Sequence, residues 1–288
     1  MPRHLAAKAI ALVVIAIVAF VAIGYRNATA TPVVRRLTVH FADYPAGAAA
    51  TRILLLSDIH AHGPDMPPSR VAAIVDQANA LQPDIVVLAG DFIGDNWIGA
   101  AYPVETAIAP LGRLRAKLGV YAVLGNNDYN ARPSEVIERL EAAGVHVLSD
   151  SAASVGPLAI GGIDGQLHVR SGWSAVRKKT YRALAATPGV PIFVAHRPDE
   201  FKAARPWVKL VLAGHTHCGQ IVLPFIGPLV TGSDYGRKYL CGVVRNGSQL
   251  MVVTAGLGTS HVPLRIGAPP DIWVITVTGS PASSSAHL

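Results

Sequence analysis

No run of five or six basic residues occurs in this 288-residue chain, and no RNA- or DNA-binding motif is visible. Nucleic acid is therefore not expected as a partner, although a net charge of +7 favours anionic company such as phosphate groups or acidic lipid headgroups. Cysteine is scarce as well, with Cys218 and Cys241 the whole complement. Two cysteines make neither a disulfide scaffold nor a zinc finger, and spacing alone does not place them within bonding distance. Two free thiols are the expectation, with a bridge in an oxidising compartment as the alternative. Charged residues make up 15% of the chain against roughly 25% in average proteins. The N-terminus accounts for part of that deficit, and the remainder implies a large, strongly buried sheet. No internal repeat is present.

Against these absences stands one long apolar run. Ala9 to Tyr25 carries no charge, with Arg3 and Lys8 before it and Arg26 after. Crossing a bilayer takes about 20 residues at 1.5 Å each, so the run is at the short end for a span. A retained single-pass anchor in the inner membrane is the expectation. The alternative is a cleaved signal peptide, because Ala28-Thr29-Ala30 has a small-x-small outline. A buried core helix is the poorer reading, since the run has no polar face. Flanking charges are nearly balanced, and the short N-terminal tail tilts the reading towards a domain outside the cytoplasm.

The rest repeats one pattern: an apolar strand, a loop rich in Asp, His, Gly and Asn, then a helix. Ile53–Leu56 leads into Ser57-Asp58-Ile59-His60, Ile85–Leu88 into Gly90-Asp91, and Gly119–Leu124 into Gly125-Asn126-Asn127-Asp128. Ile192–Ala195 leads into His196, and Leu210–Ala213 into Gly214-His215-Thr216-His217. Helical spacing runs over Ser69–Leu81, Val104–Leu118, Ser134–Ala143 (with Ser134 as N-cap) and the basic stretch Ser174–Ala186. Late strands fall near Met251–Val253 and Ile272–Ile275. Strands without polar alternation are buried on both faces, as in an α/β fold, and strand C-termini are where α/β sites form. The division expected is residues 1–26 as anchor, 27–51 as linker and first strand, 52–278 as catalytic domain and 279–288 as a disordered tail.

Asp58-x-His60 places two metal-binding side chains two residues apart on a strand end, pointing one way. Asp91 offers a carboxylate able to bridge, Asn126 an amide oxygen, and His196, His215 and His217 imidazoles. The glycines beside them let the chain turn sharply. Oxygen ligands mixed with imidazole suit divalent ions of the Mn, Fe, Zn or Mg class. Two such ions about 3.5–4 Å apart clamp the attacking and leaving oxygens of a phosphoryl transfer.

This ordered set resembles the calcineurin-like metallophosphoesterase superfamily, whose pattern is D-x-H, G-D, G-N-H-D/E, H and G-H-x-H. Further similarity to single-pass bacterial membrane members lies in Gly214–Gln220, Gly256–Ser260 and Pro263-Leu264-Arg265. The resemblance implies a sandwich of two β-sheets flanked by helices, reached over residues 52–277. It implies a first metal on Asp58, His60 and His217, a second on Asn126, His196 and His215, and Asp91 between them. A hydroxide held by the two ions would attack phosphorus in line.

One position departs from the pattern. Asn127 stands where the family carries the His that protonates the leaving oxygen, and an amide cannot transfer that proton. Losing a general acid costs ~10²–10⁴-fold when the leaving group needs a proton. The expected substrate is therefore a phosphoester or phosphoanhydride with a good leaving group, lipid-linked or nucleotide-linked. A metal-binding but catalytically silent membrane scaffold or sensor is the alternative. Asn127 and Asp128 are the expected catalytic pair, with Asp128 equally readable as a turn-former, and His62 and Arg197 are the expected substrate contacts. Arg265 could receive an anionic headgroup or pack on the surface. His40, His146, His168 and His261 are read as structural, the basic face around Arg177, Lys178, Lys179 and Arg182 as solvated, and Cys218 as near the metals without being a ligand.

Overall fold

The computed structural model describes residues 3–163 and 173–280; His168 and residues 281–288 of the tail expected over 279–288 lie outside them, whereas Gly279 belongs to the last strand. Its elements in chain order begin with α1 (Arg3–Ala28), β1 (Val33–Phe41), β2 (Thr51–Leu56), α2 (Pro68–Ala80) and β3 (Ile85–Leu88). There follow α3 (Val104–Ile108), β4 (Val120–Ala122), α4 (Asn126–Asn130), α5 (Pro133–Ala142), β5 (Val145–Val147), β6 (Ser151–Val155) and β7 (Leu158–Ile163). The second half supplies α6 (Trp173–Ala186), β8 (Val190–Ala195), β9 (Leu210–Ala213), β10 (Val222–Leu223), β11 (Gly227–Pro228), β12 (Gly242–Asn246), β13 (Gln249–Val253) and β14 (Asp271–Gly279).

Two six-stranded sheets result, ordered β1-β14-β2-β3-β4-β5 and β12-β13-β9-β8-β7-β6. Strands β2 to β5 run parallel, as do β7, β8, β9 and β13, while antiparallel pairings join β14 to β2, β13 to β12 and β7 to β6. Strand period two decides what each face meets. Ile53, Leu55, Ile85 and Val87 of the first sheet face Ile160, Ile192, Leu210 and Leu212 of the second, forming the central core. Leu54, Leu56, Val86 and Leu88 point outward onto Val71, Ile74 and Val75 of α2 and Val136 and Leu140 of α5. Phe193, Val211 and Met251 do the same against Tyr181 and Leu184 of α6. The molecule is thus an α/β sandwich of two sheets flanked by helices.

Several local expectations differ. Helical spacing over Val104–Leu118 ends as α3 plus one 3-10 segment, Ala109–Arg113, because Pro110 lacks an amide to continue the α ladder. Pro133 takes the first turn of α5, so Arg132 rather than Ser134 stands at the cap. The first strand, β1, pairs in parallel along all of β14. The apolar N-terminal helix is longer than its uncharged run and qualifies by length and composition as a membrane span. Its residues 4–23 are all exposed, whereas Gly24 and Ala28 are buried against the sandwich.

Candidate metal centre

The parallel strands of both sheets stop short of the chemistry. β2 ends at Leu56, β3 at Leu88, β8 at Ala195 and β9 at Ala213, and the polar groups follow in the next few residues. Asp58, His60, Asp91, His215 and His217 all have positive φ, between 47° and 69°. Non-glycine residues enter this left-handed region at a cost of roughly 1–3 kcal/mol, and such strain gathers at functional sites. It is this backbone, not a strand pleat, that turns Asp58 and His60 the same way. His215 and His217 do not point together, because the two imidazoles join different groups.

One group is Asp58, His60 and His217, the other Asp91, His196 and His215, each with side-chain atoms close enough to share a metal ion. In the first, Nε2 of His60 lies 3.1 Å from Nε2 of His217, which in turn is 3.6 Å from Oδ1 of Asp58. In the second, Nε2 of His196 is 3.1 Å from Nδ1 of His215 and 3.2 Å from Oδ2 of Asp91. That same Oδ2 is 3.5 Å from Nε2 of His60, so a single carboxylate oxygen lies between the groups. Oδ1 of Asp91 accepts the backbone amide of Asn127 at 2.8 Å. Nδ1 of His196 meets the carbonyl of Ala89 at 2.8 Å; a carbonyl only accepts, so Nδ1 carries the proton and Nε2 offers its lone pair.

Asn126 lines the same cavity as Asp91 and His215 of the second group. Its Nδ2 donates to Oδ1 of Asn127 at 2.9 Å, while its own Oδ1 is buried without a hydrogen-bond partner. Buried polar atoms are nearly always paired, and an orphan amide oxygen is a donor of the kind a divalent cation takes. Close approach, more than turning, explains two of the glycines. A Cβ on Gly125 would strike the Asp91 carboxylate, and one on Gly214 would strike Ser57 and Asp58.

The profile of the calcineurin-like phosphoesterase family matches residues 51–219. The chain belongs to that family. Family members use divalent metal ions, and this member carries two residue groups suited to them. A relative named transmembrane protein with metallophosphoesterase domain, from Danio rerio, is 32% identical over 282 residues, 93% of this chain and 62% of its own. An uncharacterized metallophosphoesterase of Aquifex aeolicus is 31% identical across 85% of this chain and 92% of its own, and one of Bacillus subtilis is 30% identical across 83% of each. The chain spans about 60% of the length of its transmembrane-named relatives from Danio rerio and Bos taurus.

Other residues in this family member sit differently from expectation. Asp128 is removed from solvent, and its carboxylate caps the first turn of α4. Fully buried, it accepts the backbone amides of Asp91, Phe92, Ile93 and Gly125 and so ties two site loops together. Burial and Asp91 push its pKa up to about 7, while those amides pull it down. His62 is buried with Nδ1 on the carbonyl of Gly63, away from the cavity. Arg197 pairs with Asp199 and Asp234 at 3.6 and 3.4 Å. Arg265 is a wholly buried strut, donating to the carbonyls of Ala255, Gly258 and Ala268, with Nη2 3.2 Å from Nδ1 of His217. The cysteines are not free thiols: Cys218 and Cys241 form a disulfide, because the turn after His217 folds back to the start of β12 and brings their Cα atoms to 4.8 Å.

A cavity of about 510 Å³ opens over Asp91, Asn126, Asn127, His215 and His217. Two residues on its wall had no signal in strand-end spacing. Asp95 is a loop residue, and His261, read as structural, is exposed and contacts Asp95 through Nδ1 at 3.0 Å. His40 meets the carbonyl of Gly279, and His146 stacks on Tyr121. On α6, Arg177 is tied to Glu200 by two 2.9 Å hydrogen bonds.

The charges compensate one another across the two groups. Burial alone would raise Asp91, but His196, His60 and His215 more than reverse this and hold it well below the carboxylate range. Burial opposes a charged His196, yet Asp91 and Asp58 raise its pKa to about 9. His215 goes the other way, to about 3, through burial and repulsion from His196. A raised value means that His196 holds a proton at neutral pH in the metal-free protein and must lose it to accept a cation. Apparent metal affinity is therefore expected to rise about tenfold per pH unit from 7 to 9 and then level off. Calorimetry in buffers of differing ionisation heat would register about one proton released at pH 7; a pH-independent affinity would contradict this.

Proposed function

We propose that this chain is a membrane-anchored hydrolase of phosphoester or phosphoanhydride bonds that works through two divalent cations. Asp58, His60 and His217 would hold one cation and Asn126, His196 and His215 the other, with Asp91 shared. The observation carrying this reading is the Asp91 Oδ2 oxygen, at 3.5 and 3.2 Å from imidazoles of both groups, with the orphan oxygen of Asn126 on a residue lining the same cavity. When bound, such cations supply Lewis acidity that lowers the pKa of water and neutralises charge on a phosphoryl group. The chain itself aims the two groups at one cavity, fixes the proton of His196 on Nδ1, and presents the Asn127 amide beside His60 at 3.2 Å. That amide can orient a phosphoryl oxygen but gives the leaving oxygen no proton.

In this reading the substrate is lipid-linked, and the domain lies outside the cytoplasm. The Cys218–Cys241 bridge supports that side, because disulfides persist in oxidising compartments. The docked end of α1 supports an anchor that stays attached: Gly24 packs on Leu264, and its carbonyl accepts the amide of Arg265 at 2.9 Å.

The expected outcome with added Mn²⁺ is turnover of bis-p-nitrophenyl phosphate that falls at least ~10³-fold in Asp91→Ala. Tight metal binding without turnover of any ester or anhydride would instead favour a silent scaffold. For the membrane side, alkaline phosphatase fused after Leu288 is expected to be active. A fusion active only as a cytoplasmic reporter would overturn the assignment.

A further inference from the structure

We infer that the cavity mouth lies against the bilayer, and that the substrate is a lipid phosphoester drawn in from the headgroup layer. The loop between β10 and β11 exposes Phe225 and Ile226, and the segment after it exposes Leu229 and Val230, with Phe225 at 110% and Val230 at 70%. A second exposed apolar pair, Trp97 and Ile98, stands on another loop, with Trp97 at 75%. Exposed patches of this kind mark interaction surfaces, and an indole beside a span suits the membrane interface.

Both patches flank the place where the apolar helix leaves the sandwich. Gly24 of α1 touches Leu264 and Ile266, and the Tyr25 hydroxyl donates to the carbonyl of Pro64 at 3.2 Å. Ile221, next to β10, bridges to Ile266 and Gly267. On the other side Gly63 donates its amide to Ala100 at 2.9 Å, and Gly99 packs against Gly63 and Pro64. An anchor crossing the bilayer therefore presses this face towards the headgroups. The cavity opens within it: Leu229, Val230 and Val262 form an apolar wall, and Asp91, His215 and His217 the polar side. A lipid phosphate fits between the two, with its acyl chains still in the membrane.

The substrate class rests on the hydrolase reading, whereas the surface does not. With the full chain in nanodiscs, lipids brominated near the headgroup are expected to quench Trp97 fluorescence, and the quenched component should vanish in Trp97→Phe. Phe225→Asp with Ile226→Asp is expected to slow cleavage of phosphatidyl-p-nitrophenol in nanodiscs at least tenfold while bis-p-nitrophenyl phosphate turns over as before. Absence of quenching, or an equal effect on both esters, would overturn the proposal. Quenching with neither ester cleaved would sink the hydrolase reading and leave the membrane face standing.

From a separate observation, and resting on the hydrolase reading, we propose that His261 donates the proton that Asn127 cannot. The two residues line the same cavity. Nδ1 of His261 lies 3.0 Å from Oδ2 of Asp95 and 2.8 Å from Oγ of Ser260, and the ring rests on Trp97 with centroids 5.0 Å apart. Its φ is +66°, an uncommon conformation held by the Trp97 amide on its carbonyl at 2.8 Å. A carboxylate on Nδ1 orients the ring and leaves Nε2, which has no partner among the described residues, to meet substrate. As water oxygen bonds to phosphorus and releases a proton to solvent, the bond to the leaving oxygen breaks with its electron pair, and the Nε2 proton passes to that oxygen. Solvent then reprotonates the ring.

His261→Gln is expected to lose about 10²-fold on an alkyl phosphodiester and far less on its p-nitrophenyl counterpart, with metal content unchanged. Adding Asn127→His should restore part of the alkyl activity. An equal loss across the leaving-group series, or none, would overturn the assignment.

Discussion

The structure turns on one carboxylate held among imidazoles. Asp91 is buried, and its charge survives there because His60, His196 and His215 surround it. The dependence is mutual, since His196 keeps its proton only through Asp91 and Asp58. Burying any of these charges alone would be costly; together each lowers the cost of the others. A pair of cations is the natural replacement for the proton on His196, since it supplies positive charge at the centre where the acidic oxygens converge.

Holding such a cluster needs a rigid surround. Five of its residues sit in left-handed backbone, and two of its glycines leave no room for a Cβ. The surround comes from two sources. The sheets pack face to face through aliphatic side chains and fix the strand ends from which the loops start. Asp128 and Arg265 then lock the loops from beneath, one accepting four backbone amides and the other donating to several carbonyls. Both are ionisable residues wholly removed from solvent, which is tolerable because nearly every polar atom they carry is paired.

Asn127 gives the site its individual character. It retains a backbone amide on Asp91 and a side chain beside His60, so the geometry of the loop survives the absence of an imidazole there. Across the cavity, Asp95 approaches His60 on one oxygen, at 3.5 Å, and His261 on the other. The chemistry at this wall is thus divided between two loops far apart in sequence.

Much of this was legible in the chain itself. Short aliphatic runs each ending in Gly, Asp, Asn or His marked buried parallel strands and the side chains at their ends, because period and composition are local properties. The apolar N-terminal helix was legible for the same reason. Tertiary structure alone decided the rest. Whether His215 and His217 point together depends on φ at each residue, and a strand-end pattern does not encode it. Cys218 meets Cys241, Arg265 is buried and His261 reaches the cavity because loops separated by tens of residues fold back on one another. The sequence names the groups that can bind or react; distances between strand ends, set by how the two sheets pack, determine which of them meet.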